Sequence, residues 1–239
     1  MARTRCRGQL GEVLEMIRRT LRRLAPLGLL AALAACGNSP YQADPFSTLY
    51  ESLRPGGDGA PGALTQEAIA QTLAGAGDRA VTFLEIDERE SQSLLVNIES
   101  NPPYRTYATP TRQAVTIRDG MIVATRGLGG DLMSVDEDEL LSLVRSRTKG
   151  EAVYIQRFLR SDDRTVPLTY RCSVEPDKSI DVSMGLIQTP AREVVAACTS
   201  DVGPPFVDYY VVDPSGQIVA SRQWLGRITG YVSTHVLRR

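Results

Sequence analysis

With 239 residues, 42% of them hydrophobic and 23% charged, the chain has ordinary globular composition and length for one large domain or two small ones. Its formal net charge is -1, yet residues 1–35 hold seven arginines and only two acids; taking these from the 27 basic and 28 acidic residues of the chain leaves 20 and 26, a net -6. Such a remainder does not hold polyanions by bulk charge, which sets nucleic acid aside as a partner.

At the amino terminus Arg18, Arg19, Arg22 and Arg23 precede an apolar run, Leu24–Ala35, broken only by Pro26 and Gly28. A basic start, a short apolar stretch and small residues before a cut describe a secretory signal peptide. The run is too short to be a transmembrane helix, which needs about 20 apolar residues. Leu33-Ala34-Ala35-Cys36 resembles the lipobox of bacterial lipoproteins, in which the cysteine thiol is diacylated, the peptide is cut before it and the new amine is acylated. Residues 1–35 are therefore expected to be a signal peptide and Cys36 the lipidated start of the mature chain, with its acyl chains giving effectively permanent attachment. Gly37, rather than an Asp, follows the cysteine, and in that class this sends the protein to the outer membrane. Met16 offers an alternative start that opens a compact signal peptide; residues 1–15, Cys6 included, stay outside the fold either way.

Residues 36–62 are rich in Pro, Gly, Asp and Ser and read as a flexible tether, leaving 63–239 as a single domain. Gln66–Leu73 places Ile69 and Leu73 on one helical face. From Arg79 onward the dominant period is two. Ala80–Ile86, Ser93–Ile98, Tyr104–Ala108 and Gln113–Ile117 read as strands, and Asp119-Gly120 as a tight hairpin turn. Ser134 with Glu137 forms a capping-box pattern for a helix whose buried face is Leu140, Leu141, Leu143 and Val144. Two further hairpins are expected, around Ser161–Arg164 between strands Ala152–Leu159 and Val166–Val174, and around Asp213–Gly216 between Phe206–Val212 and Gln217–Trp224, with more strands at Lys178–Met184, Ala191–Cys198 and Gly230–Leu237. The expected fold is all-β, an antiparallel sandwich or open barrel of about ten strands with one or two short helices.

Once Cys36 is lipidated and Cys6 removed, Cys172 and Cys198 remain as an even pair in an exported protein, where a disulfide is expected. Two buried thiols or a zinc pair are the alternatives; zinc is disfavoured because His235 is the sole histidine and no CxxC spacing occurs. Enzyme signatures such as G-x-S-x-G, H-E-x-x-H and the P-loop are missing from the sequence. No catalytic residue, cofactor or metal is expected, and His235 reads as an ordinary strand residue. A polymer-modifying enzyme would need carboxylates at a defined separation, and nothing in the spacing of Asp162, Asp163 or Asp208 supplies one.

Three positions stand out as candidate contacts. Gly127, Gly129 and Gly130 follow a strand and precede the helix, as a bulged connection or a ligand loop, with Arg126 and Asp131 placed to pair across it. Trp224, the single tryptophan, either fills the core or stacks on a sugar ring.

The lipobox, the segment ATRGLGGDLMS (Ala124–Ser134) after an Asp-Gly hairpin, and Cys172 and Cys198 ahead of SRQWLG (Ser221–Gly226) and Gly230-Tyr231 together resemble the YjbF/GfcB family of outer-membrane lipoproteins. The resemblance covers roughly Gly75 to Arg239 and is most specific in Ala124–Ser134. It implies an all-β protein without catalytic activity, lipid-anchored at the periplasmic face of the outer membrane. Its implied role is that of an accessory factor in exopolysaccharide or capsule production or export, with a large outer-membrane β-barrel and polysaccharide-export proteins as partners. The alternative is a periplasmic carrier of lipid or another hydrophobic ligand, held in the mouth of the barrel.

Overall fold

Alternation of side chains drives the architecture. In strand β7 (Gly150–Leu159), Ala152, Tyr154 and Gln156 are buried while Glu151 and Val153 face out. The same period continues through Tyr170, Cys172 and Val174 of β8 (Thr165–Met184). The computed structural model describes residues 64–159 and 164–239. Residues 1–63, with the signal peptide, Cys36 and the tether, lie outside the described residues, as does the expected turn at 161–163.

Helix α1 (Gln66–Gly75) comes first, followed by strand β1 (Val81–Ile86), a 3-10 turn (Asp87–Arg89), β2 (Ser91–Asn101), β3 (Tyr104–Ala108), β4 (Ala114–Arg118) and β5 (Met121–Arg126). Then come β6 (Leu132–Asp136), helix α2 (Asp138–Ser146), β7, β8, β9 (Ile187–Thr199) and β10 (Phe206–Val212). Strand β11 (Ile218–Trp224), the short helix α3 (Gly226–Thr229) and β12 (Tyr231–Arg238) complete the chain. All twelve strands form one sheet in the order β5-β4-β3-β2-β1-β12-β11-β10-β9-β8-β7-β6, and the strand-to-strand registers are antiparallel. Neighbours in the sheet are neighbours in sequence except where β1 meets β12, so the first and last strands pair in its interior.

The two edges, β5 and β6, are consecutive in the chain, which makes the sheet a nearly closed barrel. Side chains hold the seam. Thr125 Oγ1 accepts the Leu132 N–H at 2.9 Å, and Arg126 Nη1 donates to the Leu132 carbonyl at 3.3 Å. Closing the sheet on itself shields edge groups that would otherwise invite pairing with another chain. Register shifts at Asn97/Glu99, Thr116/Ile117, Leu132/Ser134 and Val211/Val212 mark the bulges that help the strands curl.

The interior is filled by large side chains, among them Tyr154, Tyr170, Tyr210, Met121, Ile122 and Leu132, each under 2% exposed. Burial of each aliphatic side chain is worth roughly 1.5–3 kcal/mol relative to leaving it in water. Helix α2 packs across β7, β8 and β10 and adds Leu140, Leu141 and Val144 to the same core. A second, smaller core lies on the outer face, where Ile69 and Leu73 of α1 meet Val81, Phe83 and Leu237. The end of the long β8–β9 hairpin joins it through Met184, and the Leu186 N–H donates to the Leu237 carbonyl at 2.8 Å.

Several expectations need correction. Ser134 does not cap α2. It is an exposed residue of strand β6, and the helix starts at Asp138 with Glu137 at the cap position and no side-chain capping bond. The Glu137 carboxylate goes instead to Arg118, at 2.8 Å. The glycine segment joins strand to strand rather than strand to helix, and the two segments read as separate strands at Val166–Val174 and Lys178–Met184 are one twenty-residue strand. Extending a paired strand costs less than breaking the ladder, and a bulge between Pro176 and Ser179 absorbs the proline that has no N–H to give.

Candidate functional site

Inward positions of a β-barrel are normally apolar, so the polar residues placed there define where to look. Asp208 of β10 is 1% exposed. Its Oδ1 accepts the Trp224 backbone N–H at 2.7 Å and its Oδ2 accepts the Tyr210 hydroxyl at 3.1 Å. Burial pushes the carboxyl up to about 7, opposed by these two hydrogen bonds and by the positive charge of Arg222. From β7, Gln156 Nε2 donates to the Trp224 carbonyl at 2.9 Å. Both backbone groups of the residue that ends β11 are thus held by side chains reaching from other strands. Beside them, burial raises the Tyr154 and Tyr210 phenols, and the Asp208 charge raises them further.

A second polar run crosses the interior. Thr234 Oγ1 and Ser221 Oγ lie 2.8 Å apart, Gln223 Nε2 donates to Ser221 Oγ at 2.7 Å, and Gln223 Oε1 accepts the Ile122 N–H at 3.2 Å. That last bond satisfies a backbone donor on edge strand β5, so Gln223 serves the closing of the barrel.

The two rims differ in chemistry. At one, the Asp119-Gly120 turn meets the Asp213–Gly216 turn and the end of α2: Arg145 donates to Asp119 at 2.5 Å and to the Gly216 carbonyl at 2.9 Å, and Arg239 pairs with Asp213. A cavity of about 330 Å³ beside it is lined by Thr82, Arg105, Tyr107, Asp119, Thr234 and Arg239. At the other rim a recess of about 480 Å³ is lined mainly by apolar groups, including Phe158, Leu168, Val202, Trp224 and Ile228. The Tyr170 hydroxyl reaches this recess, fully buried and without a hydrogen-bond partner among the described residues.

Of the sequence candidates, Trp224 lies at this second rim, partly buried, with its ring 5.3 Å from Tyr231 in an edge-on pair and Tyr231 beneath the Arg222 guanidinium at 3.7 Å. Arg126 and Asp131 do not pair with each other. Asp131 accepts the Gly127 N–H at 2.8 Å, the Leu128 N–H at 3.0 Å and the Thr125 hydroxyl at 3.2 Å, while Arg126 turns to the Thr125 and Leu132 carbonyls. Two loop N–H groups aimed at one carboxylate outcompete a solvent-exposed ion pair. Cys172 and Cys198 are opposite one another on β8 and β9 and form the disulfide. His235 is buried on the outer face of β12 with its ring 6.1 Å from Phe83. Asp208, Gln156 and Gln223 were not singled out as binding candidates. The available signal was a polar residue at an inward position of a strand, as in Phe206–Val212, where Asp208 shares the phase of Phe206 and Tyr210. Among the described residues no group of three or more His, Cys, Asp or Glu is placed to hold a metal ion, and no helix is long and apolar enough to cross a membrane.

Comparison with known proteins returns a family model described as group 4 capsule polysaccharide lipoprotein GfcB, YjbF, matching residues 58–237. No curated protein matches the chain. Among solved structures, the hypothetical lipoprotein YmcC from Escherichia coli K12 superposes with a TM-score of 0.60 at 12% identity, covering 74% of this chain and 97% of that one. At that identity the likeness shows a shared fold. A candidate lipoprotein from Parabacteroides distasonis aligns at 12% identity over 68% of this chain and 95% of its own, with a TM-score of 0.32.

Proposed function

Because the chain belongs to the YjbF family of group 4 capsule polysaccharide lipoproteins, we propose that it is a non-enzymatic outer-membrane lipoprotein and an accessory factor in capsule or exopolysaccharide production or export. In this reading residues 1–35 are removed as a signal peptide, Cys36 carries the lipid, residues 36–62 are the tether and 63–239 the working domain, on the periplasmic side. It acts through a partner outer-membrane β-barrel and the polysaccharide-export proteins. The family match over residues 58–237 carries the proposal.

The chemistry of the buried groups supports it. Both Asp208 oxygens accept bonds that hold β10 and β11, Gln156 Nε2 donates to the Trp224 carbonyl, Gln223 is divided between the Ser221 hydroxyl and the Ile122 N–H, and Asp131 is spent on its own loop. The carrier alternative has less support: the interior is packed by Tyr154, Tyr170, Tyr210 and Met121, and the apolar space is a recess at the rim.

The test is a crosslinking pulldown of the intact protein from outer membranes, read by mass spectrometry. A large β-barrel recovered in stoichiometric amount is the expected result. Lipid recovered with no protein partner, together with unchanged surface polysaccharide in a deletion strain, would overturn the accessory role.

A further inference from the structure

The chain enters the domain at one particular rim. The Leu64 N–H donates to Gln92 Oε1 at 2.9 Å, and Gln92 pairs with Glu85 beside the 3-10 turn that joins β1 to β2. Helix α1 then runs along the outer face toward the start of β1 at the opposite rim. The β1–β2 turn itself abuts α3. Arg89 Nη2 donates to the Ile228 carbonyl at 3.4 Å, and Glu88 lies so close to Gly230 that a Cβ there would stand 2.1 Å from its Cγ. The segment arriving from Cys36 therefore joins the same rim that carries α3 and the apolar recess.

Exposed aliphatic side chains gather around that recess. Val202 is 75% exposed, Ile228 68% and Leu159 44%. Single exposed aliphatics are ordinary, but these converge on one recess floored by Phe158, Leu168 and Trp224, and such a convergence marks an interaction surface. The opposite rim is tied together by the charged pairs Arg145–Asp119 and Arg239–Asp213. Tryptophan and tyrosine prefer the boundary between acyl chains and headgroups, and Trp224 and Tyr231 stand there as a pair with Arg227 beside the recess.

We infer that the Trp224 rim docks on the phospholipid bilayer, with Val202, Ile228 and Leu159 entering the acyl region and the recess receiving acyl chain. This rests on the lipid attachment proposed at Cys36. The tether of 27 residues between Cys36 and Leu64 has a root-mean-square reach of roughly 30 Å if fully flexible. The lipid keeps the rim close to the surface, so a docking contact too weak to act alone is populated through its high effective concentration. The barrel then stands on its apolar rim with the Asp119 rim and its polar cavity turned toward the aqueous side.

Trp224 is the only tryptophan of the chain, so its fluorescence reads the contact directly. The lipidated protein is reconstituted in phosphatidylethanolamine–phosphatidylglycerol vesicles, with and without phosphatidylcholine brominated on its acyl chains. Docking predicts loss of Trp224 emission in the brominated vesicles, and recovery of that emission in the V202D/I228D double variant while the protein still floats with the vesicles. Both residues are exposed, so the variant is expected to keep the wild-type circular dichroism. Equal emission in both vesicle types overturns the inference, whether the recess is then empty, filled by the protein's own acyl chain or covered by a protein partner. Quenching that persists in V202D/I228D overturns it as well. Failure of the lipidation reading shows separately, as missing acyl mass on Cys36 and loss of flotation, and it overturns the docking with it, because a contact too weak to act alone is not populated without the anchor.

Discussion

The Asp208 carboxylate and the Trp224 backbone N–H lie 2.7 Å apart inside the barrel, a bond that ties the end of β11 to β10 where the apolar rim begins. A carboxyl in this position is neutralised more easily than one in water. Its folded value near 7 exceeds the unfolded value near 3.8, so the native state binds more protons between these limits. The contribution of Asp208 is present in full below about pH 4 and is lost as pH rises through 7. The Asp208→Asn variant is expected to remove this dependence, gaining stability relative to the parent above pH 7. Urea unfolding of both proteins from pH 5 to 9 measures it, and parallel curves would show that the carboxyl is not perturbed.

His235 works in the opposite sense. Burial lowers its imidazole to about 4, below the ordinary 6.5. The unfolded chain therefore takes up the proton first, and stability present above pH 6.5 is lost as pH falls toward 4. A His235→Leu variant should lose less stability than the parent between pH 6.5 and 4, read from the same unfolding curves.

The Tyr170 hydroxyl is buried without a partner among the described residues. An unpaired buried hydroxyl costs about 1–3 kcal/mol, and Tyr170→Phe keeps the ring that packs edge-on against Phe206 at 4.8 Å. The variant should therefore be more stable by about 1 kcal/mol in the purified protein. A lower urea midpoint would mean that the hydroxyl has a bound partner worth keeping.

Reducing the Cys172–Cys198 disulfide opens a loop whose ends are 26 residues apart. The chain-entropy model assigns such a cross-link about 3–4 kcal/mol. Thermal unfolding with and without reductant, alongside a Cys172→Ala/Cys198→Ala double variant, should show this loss. An unchanged midpoint would place the stabilising contacts elsewhere.

Gly120 has φ of +96° and lies so close to β11 that a Cβ would fall 2.2 Å from the Ile218 carbonyl oxygen. Gly120→Ala should cost at least about 2 kcal/mol, the left-handed penalty adding to the clash. Gly77→Ala, at φ +61° with nothing within 4 Å, carries the backbone penalty alone and should cost less. Comparing their urea midpoints separates the close approach from the conformational effect.

Local chemistry was legible wherever a short segment decides its own structure. Asp119-Gly120 turned out as the expected hairpin because both residues take positive φ, at 50° and 96°. Helix α1 buries Ile69 and Leu73 because their spacing leaves them on one face, and Thr65 Oγ1 caps it by accepting the Ala68 N–H at 3.1 Å. Alternation in β7 and β8 identified an antiparallel all-β domain, and two remaining cysteines identified a disulfide.

Where several groups compete for the same partner, the sequence had no vote. Ser134 and Glu137 satisfied a helix-capping pattern, yet Leu132 and Val135 could be buried only by adding β6 to β7, and Arg118 took the Glu137 carboxylate. Asp131 faced Arg126 across a loop on paper, but two backbone N–H groups came closer. The sequence by itself determined strands, turns, two helices and the cysteine pair, because those depend on neighbours a few residues away. Only the tertiary structure decided the pairing of β1 with β12, the sealing of β5 against β6, the burial of Asp208 and the gathering of Val202, Ile228 and Trp224 at one rim. Each of those depends on which residues meet once the sheet curls, and a curling sheet brings together side chains that no local pattern relates.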